Sequence, residues 1–278
     1  MAIESEVSAE AERKLLGMML EAASASGTII CEIYGTAFSA EQKADGSPVT
    51  KADQLAEAEI LRRLSPTGLP VLAEESVSAG RIPELGRRWF VVDPLDGTKE
   101  FLKRNGEFTV NIALVEDGRP VLGVVLAPAT GEAFSGVPGE ARQYRWTDGR
   151  LDAGAPMRVT AASPACILAS RSHGDGRLKP LQERLGLGEM RIMGSSIKFC
   201  LLARGEGQLY PRFAPTSEWD TAAGQAVLEA AGGAVLSLEG TPLRYGNTGR
   251  AFINGPFVAA TSAAIADRAA AEMRAILG

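Results

Sequence analysis

The sequence predicts an α/β protein built in two parts, an α+β half followed by an α/β half. Three observations carry that expectation. The chain has 278 residues, long for one domain and comfortable for two. Residues 108–134 alternate apolar and polar positions, as an antiparallel meander does. From Cys166 onward, short apolar runs alternate with segments of helical period. The expected division is 1–156 and 157–278.

Each element has its own justification. Residues 8–27 read as an amphipathic helix, with Leu15, Leu16, Met19 and Leu20 at helical spacing. Lys43 to Thr50 reads as a loop, because Asp45-Gly46 and Ser47-Pro48 are turn pairs. Asp53 to Leu64 is a second helix. Pro66, Gly68 and Pro70 end it before a short strand, Val71 to Ala73, that runs into Glu74. In the meander, Val110, Ile112 and Leu114 share one face, Asp117-Gly118 marks a turn, and Pro120 to Leu126 returns. Gly131 to Phe134 is a third strand. Gly136 to Pro156 is rich in Gly, Pro and Arg, and the division is placed near its end.

The second half reads as strand 166–169, helix 177–186, strand 190–193 and helix 195–203. Strand 208–210, helix 221–231, strands 234–238 and 257–260, and a terminal helix 263–277 complete it.

Bulk properties exclude several classes. Net charge is −5 and pI about 5.2, the wrong sign for binding a nucleic-acid polymer, which needs a basic surface. Cys31, Cys166 and Cys200 are far apart, odd in number and form no C-x-x-C pair, so reduced, buried thiols in a cytoplasmic protein are expected. Glu4, Glu6, Glu10 and Glu12 precede the first apolar residues, unlike the basic start of a signal peptide. No uninterrupted apolar run reads as long enough for an integral membrane segment.

The chemistry concentrates in three acidic motifs. The run Trp89-Phe90-Val91-Val92 delivers Asp93 and Asp96, with Pro94 between them and Gly97-Thr98 after them. Glu74-Glu75 closes the run Val71-Leu72-Ala73, and Asp220 opens an apolar periodic segment. Carboxylate and carbonyl oxygens suit Mg²⁺, which takes few protein ligands and fills the rest with water and phosphate. A D-x-D-G-T aspartyl nucleophile is the rival. Here the spacing is D-x-x-D, and such a pair converges only if the chain turns at Pro94. That arrangement suits shared metals better than a nucleophile.

These motifs, Asp93-Pro94-Leu95-Asp96-Gly97-Thr98, Glu74-Glu75-Ser76 and Trp219-Asp220-Thr221-Ala222-Ala223-Gly224, resemble the inositol monophosphatase superfamily of lithium-sensitive, Mg²⁺-dependent phosphomonoesterases. Residues 97–113, Ser170-Arg171-Ser172-His173, Gly194 to Cys200 and Leu209 to Phe213 look like its bacterial bisphosphate-nucleotidase branch. The resemblance implies a layered αβαβα sandwich. It also implies a site. Glu74, Asp93 and the Leu95 carbonyl would hold one Mg²⁺, and Asp93, Asp96 and Asp220 a second, with a third, weaker ion near Glu74 in some members. Glu74 and Thr98 would orient the attacking water, and the N–H groups of Gly97 and Thr98 would receive phosphate oxygens. Asp53 would orient that water or Thr98.

For the second phosphate of the substrate, cations away from the metals are needed. Lys198 with Ser195 or Ser196, then Arg212 and the lone His173, are the candidates. The implied reaction is removal of the 3′-phosphate from adenosine 3′,5′-bisphosphate, or its phosphosulfate relative, in sulfur assimilation. Association with the inner membrane, known for some relatives, stays open, as does oligomeric state. The rivals are an inositol or sugar monophosphatase of the same fold and a non-catalytic metal- or nucleotide-sensing module.

Overall fold

In the computed structural model, residues 2–43, 46, 48–160, 165–171 and 176–278 are described, with side chains from residue 10 onward. The first half opens with α1 (Ala2–Tyr34), the short hairpin β1 (Ala40–Gln42) and β2 (Pro48–Thr50), and α2 (Lys51–Leu64). Then come β3 (Val71–Ala73), α3 (Glu74–Ser78), β4 (Arg88–Asp96) and α4 (Thr98–Leu102). The meander is β5 (Thr109–Glu116), β6 (Arg119–Ala127) and β7 (Glu132–Val137). It continues through β8 (Glu140–Thr147), β9 (Arg150–Leu151) and β10 (Ala155–Met157). These strands form one sheet in the order β10-β8-β7-β6-β5-β4-β3, with β9 paired to β8. Only β3 and β4 run parallel.

The second half holds β11 (Cys166–Ser170), α5 (Leu178–Leu185), β12 (Glu189–Met193), α6 (Ile197–Ala203) and β13 (Leu209–Arg212). It continues with β14 (Thr216–Ser217), α7 (Ala222–Ala230), β15 (Ala234–Ser237), β16 (Ile253–Asn254), β17 (Phe257–Ala260) and α8 (Ala263–Leu277). Its sheet has the order β12-β11-β13-β17-β15, with β11 parallel to both neighbours.

Three apolar clusters, one of them spanning both faces of the middle layer, join five layers. Met19, Ala22 and Ile30 of α1 and Ala56 and Ile60 of α2 meet Phe90, Val92, Val110, Ile112 and Leu114 on one face of the first sheet. The other face, with Val91, Ala113 and Phe134, packs on Phe199, Leu202, Val227 and Leu228 of α6 and α7. Those helices also meet Tyr210, Val235 and Phe257 of the second sheet. Its far side, with Ile167, Leu209 and Val258, is covered by Leu181 of α5 and Ala266, Ala270 and Met273 of α8. This is the expected αβαβα sandwich. A strand buried on both faces reads as a continuous apolar run, as β4 and β5 do.

The layers touch at glycines. A Cβ on Gly136 would lie 2.6 Å from the Ala226 carbonyl oxygen and 2.7 Å from Val227 Cα of α7. Gly136→Ala is therefore expected to cost about 1–3 kcal/mol through overpacking. A melting curve should drop by roughly 2–4 °C per kcal/mol. An unchanged melting temperature would show that α7 moves freely off the sheet.

Several elements depart from the sequence reading. The first helix extends to Tyr34 rather than ending at Gly27. Gly27 is there for close approach, not termination: a Cβ on it would lie 2.5 Å from Leu126 Cδ2. By length and composition, Glu10–Tyr34 is long and apolar enough to cross a membrane, contrary to that reading. A core helix meets the same test, and here Met19, Ala22 and Ile30 are fully buried against the sheet. Of the Lys43–Thr50 stretch expected as a loop, residues 48–50 instead form β2, with Ala40 pairing with Thr50, strands too short to show a period; residues 44, 45 and 47 lie outside the described residues. The Gly/Pro/Arg-rich stretch holds β8 to β10. In β8 only Ala141 and Trp146 are buried, so its apolar alternation is faint. All three cysteines are free, with Cys166 and Cys200 buried.

Candidate active site

The first sheet presents its acids through a bulge. Along β4, Asp93 pairs with Asn111 and Asp96 with Thr109, so three steps on β4 match two on β5. Unbulged, residues three apart point to opposite faces. The extra residue, beside a proline that cannot donate to the ladder, brings both carboxylates to the same face. The Asp93 Oδ1 accepts the Leu95 N–H at 2.9 Å, which closes the bulge on itself.

Asp220 arrives from the other half, at the end of a 3₁₀ turn (Glu218–Asp220) just before α7. Its Oδ2 accepts the Thr216 hydroxyl at 2.5 Å. Behind it, the fully buried Glu218 accepts the N–H groups of Gly246 (2.6 Å) and Asn247 (2.9 Å), which anchors the turn. Carboxylate oxygens of Asp93, Asp96 and Asp220 all lie within 4.8 Å of one another.

Such crowding is electrostatically costly. Asp93 is held well above the usual carboxylate range by burial, then by the charges of Glu74, Asp96 and Asp220. Burial pushes Asp96 up to about 6, against the pull of Lys198 and of the Ser196 N–H. Asp220 also reaches about 6, through burial and then Asp96.

Glu74 begins α3 at the end of β3, beside the cluster, and burial also raises its pKa. Its neighbours were not legible in the sequence. The Lys43 ammonium bridges Glu74 (2.7 Å) and Glu75 (2.6 Å). Burial pulls Lys43 down, but the two carboxylates outweigh it and hold the ammonium above the usual lysine range. Glu57 accepts the Glu75 N–H at 2.7 Å and the Ser76 hydroxyl at 2.6 Å, which fixes the strand-to-helix corner. No local pattern marks a lysine on one loop and a glutamate inside α2 as partners of this motif.

Thr98 and Asp53 meet directly. The Thr98 hydroxyl donates to Asp53 Oδ1 at 3.1 Å and approaches the Leu95 carbonyl at 3.3 Å. The other Asp53 oxygen accepts from Thr50, its N–H at 2.7 Å and its hydroxyl at 2.6 Å, closing the capping box of α2. Asp53 is thus both a helix cap and a partner of Thr98. The Leu95 side chain is buried in the core, so only its backbone faces this chemistry. Gly97 sits at φ 100°, where other residues are strained.

The opposite wall comes from the second half. Glu74, Asp96, Gly97, Thr98, Ser195, Ser196, Lys198, Arg212 and Asp220 line one open cleft of about 170 Å³. Asp53, Asp93 and Leu95 lie behind its surface. Ser196 departs from the expectation in one respect. Its N–H reaches Asp96 Oδ2 at 2.5 Å, but its hydroxyl is held by Asn111 (2.7 Å) and Thr109 (2.9 Å) inside the protein. The buried Lys198 ammonium donates to the carbonyls of Met193 (3.4 Å), Gly194 (3.1 Å) and Ser195, and burial lowers its pKa to about 8. Arg212 donates to Ser170 Oγ at 3.1 Å. His173 lies outside the described residues.

The donor set fits hard divalent cations. It is all oxygen, comes from separate segments, and holds carboxylates whose burial and mutual repulsion raise their pKa values despite the nearby Lys43, Lys198 and Arg212. Comparisons with known proteins agree. The model of the inositol monophosphatase family matches residues 12–277. The curated 3′(2′),5′-bisphosphate nucleotidase CysQ of Escherichia coli strain K12 is 45% identical over 236 residues, 83% of this chain and 94% of that protein. CysQ of Buchnera aphidicola is 39% identical over 252 residues, covering 89% and 94%. Among solved structures, CysQ from Bacteroides thetaiotaomicron superposes with a TM-score of 0.75 at 36% identity, covering 89% of this chain and 97% of that one.

Proposed function

This chain belongs to the inositol monophosphatase family, whose enzymes are metal-dependent, and we propose that it removes the 3′-phosphate of adenosine 3′,5′-bisphosphate, leaving AMP. The phosphosulfate relative would fit the same cleft, and the reaction would serve sulfur assimilation. The observation that carries this reading is that one cleft is lined both by the acids Glu74, Asp96 and Asp220 and by the cations Lys198 and Arg212. A monophosphate of a neutral polyol carries no second phosphate for such cations. The CysQ relatives support the same substrate.

In this reading Glu74, Asp93 and the Leu95 carbonyl would hold one Mg²⁺, and Asp93, Asp96 and Asp220 a second. A third ion near Glu74 would have to compete with Lys43. When bound, the ions supply Lewis acidity to the phosphate and lower the pKa of water. The residues do the rest. The Thr98 hydroxyl commits its proton to Asp53 Oδ1, which leaves oxygen lone pairs for a proton of the attacking water. Asp53 keeps that direction because Thr50 fixes its other oxygen. Glu74 is the second acceptor for the water, from the other half of the acidic pair of segments. The Gly97–Thr98 backbone forms the floor on which the phosphate rests, and Ser195, Lys198, Arg212 and His173 are assigned to the retained nucleotide end.

The test is relative kcat/KM on adenosine 3′,5′-bisphosphate and on inositol monophosphate with Mg²⁺. The nucleotide is expected to win by about 100-fold, since buried polar groups built for one ligand go unpaired with another. Preference for inositol monophosphate would move the substrate while keeping the chemistry. Tight nucleotide binding without turnover of either compound would favour a sensing module.

A further inference from the structure

Two segments of the second half converge on one carboxylate that the mechanism does not use. Glu107 precedes β5. Its Oε1 accepts from Arg171 Nη2 at 2.6 Å and its Oε2 from Arg171 Nε at 2.7 Å, a two-pronged pairing. The same Oε2 accepts the Gly194 N–H at 2.7 Å. Arg171, just past β11, also donates to the Ile192 carbonyl at 3.0 Å.

The main chain of Glu107 is wedged as well. A Cβ on Gly97 would lie 2.8 Å from its carbonyl oxygen, and one on Gly194 would lie 2.9 Å from that same atom. One residue therefore separates the Asp96–Thr98 loop from the Gly194–Ser196 turn at backbone contact. Burial pushes Glu107 up, but Arg171 and the Gly194 N–H outweigh it and keep the carboxylate below its usual range.

We propose that Glu107, clasped by Arg171, is a positioning residue that sets the distance between the phosphate-cleaving end of the cleft and the turn that meets the retained nucleotide end. Neither Glu107 nor Arg171 is among the residues that line the cleft. A partly exposed ion pair contributes little to stability, so its value lies in geometry. The metal end has separate support, because Ser196, whose N–H holds Asp96, is pinned by Thr109 and Asn111. Loosening Glu107 should thus free Gly194 and Ser195 while leaving Asp96 in place. This inference rests on the nucleotidase reading above.

The experiment is product inhibition of bisphosphate turnover in Glu107→Gln and Arg171→Lys, because AMP reports on the retained end and inorganic phosphate on the cleaving end. For Glu107→Gln, the Ki for AMP and the KM for the bisphosphate are expected to rise about tenfold, the scale of a small misplacement in a positioned site. The Ki for inorganic phosphate and the half-saturating Mg²⁺ concentration should stay within about twofold. Arg171→Lys keeps the charge but loses the fork, and should fall between wild type and Glu107→Gln. Equal changes in both inhibition constants, or no change in either, overturn the proposal. Wild type that fails to cleave the bisphosphate would instead sink the nucleotidase reading, and this inference with it.

Discussion

Asp96→Asn is expected to lower kcat by about 10³-fold, roughly 4 kcal/mol of lost transition-state stabilisation, while making the metal-free protein more stable. Both effects have one origin. Asp96 shares a site with Asp93 and Asp220, whose carboxylate oxygens approach within 4.8 Å, an arrangement that disfavours folding unless cations or protons neutralise it. Its ordinary value of 3.8 rises to about 6 in the fold. The folded state therefore binds the proton more tightly than the unfolded chain. That contribution is fully present below about pH 4 and is lost as pH rises through 6. Two units correspond to at most about 3 kcal/mol, and partial exposure reduces this to about 1–2 kcal/mol.

Asparagine has no such titration. In metal-free buffer the melting temperature of Asp96→Asn should match wild type near pH 4.5 and exceed it by roughly 2–8 °C at pH 7.5. Added Mg²⁺ should reverse the order, because it stabilises only the protein that binds it. A variant less stable than wild type at pH 7.5 without metal would mean that the carboxylate is a structural partner of the Ser196 N–H before anything else.

The second large effect concerns the Thr98–Asp53 pair. Thr98→Val is expected to reduce kcat by about 10²–10³-fold, the scale of a lost proton acceptor, and to cost about 1–3 kcal/mol of stability, because the buried Asp53 Oδ1 loses the Thr98 hydroxyl. Asp53→Ala should reduce kcat equally and also lose stability. Its carboxylate accepts the Thr50 N–H at 2.7 Å within the α2 capping box, and losing that bond costs about 1–3 kcal/mol. The double variant should be no slower than the slower single one, because groups that act as a unit are not additive. Multiplied losses would show that Asp53 reaches the reaction by a route other than the Thr98 hydroxyl.

These residues also show how far sequence reaches. Asp93 and Asp96 were legible because their type, their spacing around Pro94 and the apolar run before them all name one local event, which the fold realises as a bulge. Asp220 was legible as an acid at a helix start. Long helices and the meander follow from strong periods. Lys43 and Glu57 were not legible as neighbours of Glu74 and Glu75, since tertiary packing alone joins a loop, a helix and a strand end. The inward turn of the Ser196 hydroxyl depends on Thr109 and Asn111, some 85 or more residues away in sequence. The Glu107–Arg171 clasp is similar. Both residues fall in segments that carry the resemblance, but no local pattern pairs them, and only the fold brings the Glu107 main chain against Gly97 and Gly194.

The central claim is that this cleft removes one particular phosphate with the help of divalent cations held by its acids. The most direct measurement follows adenosine 3′,5′-bisphosphate by ³¹P NMR with wild-type protein and Mg²⁺, and again with Asp96→Asn or a chelator. AMP and inorganic phosphate, formed only by wild type with metal, are expected. Adenosine 3′-phosphate as product, or release that persists with the chelator, would contradict the account.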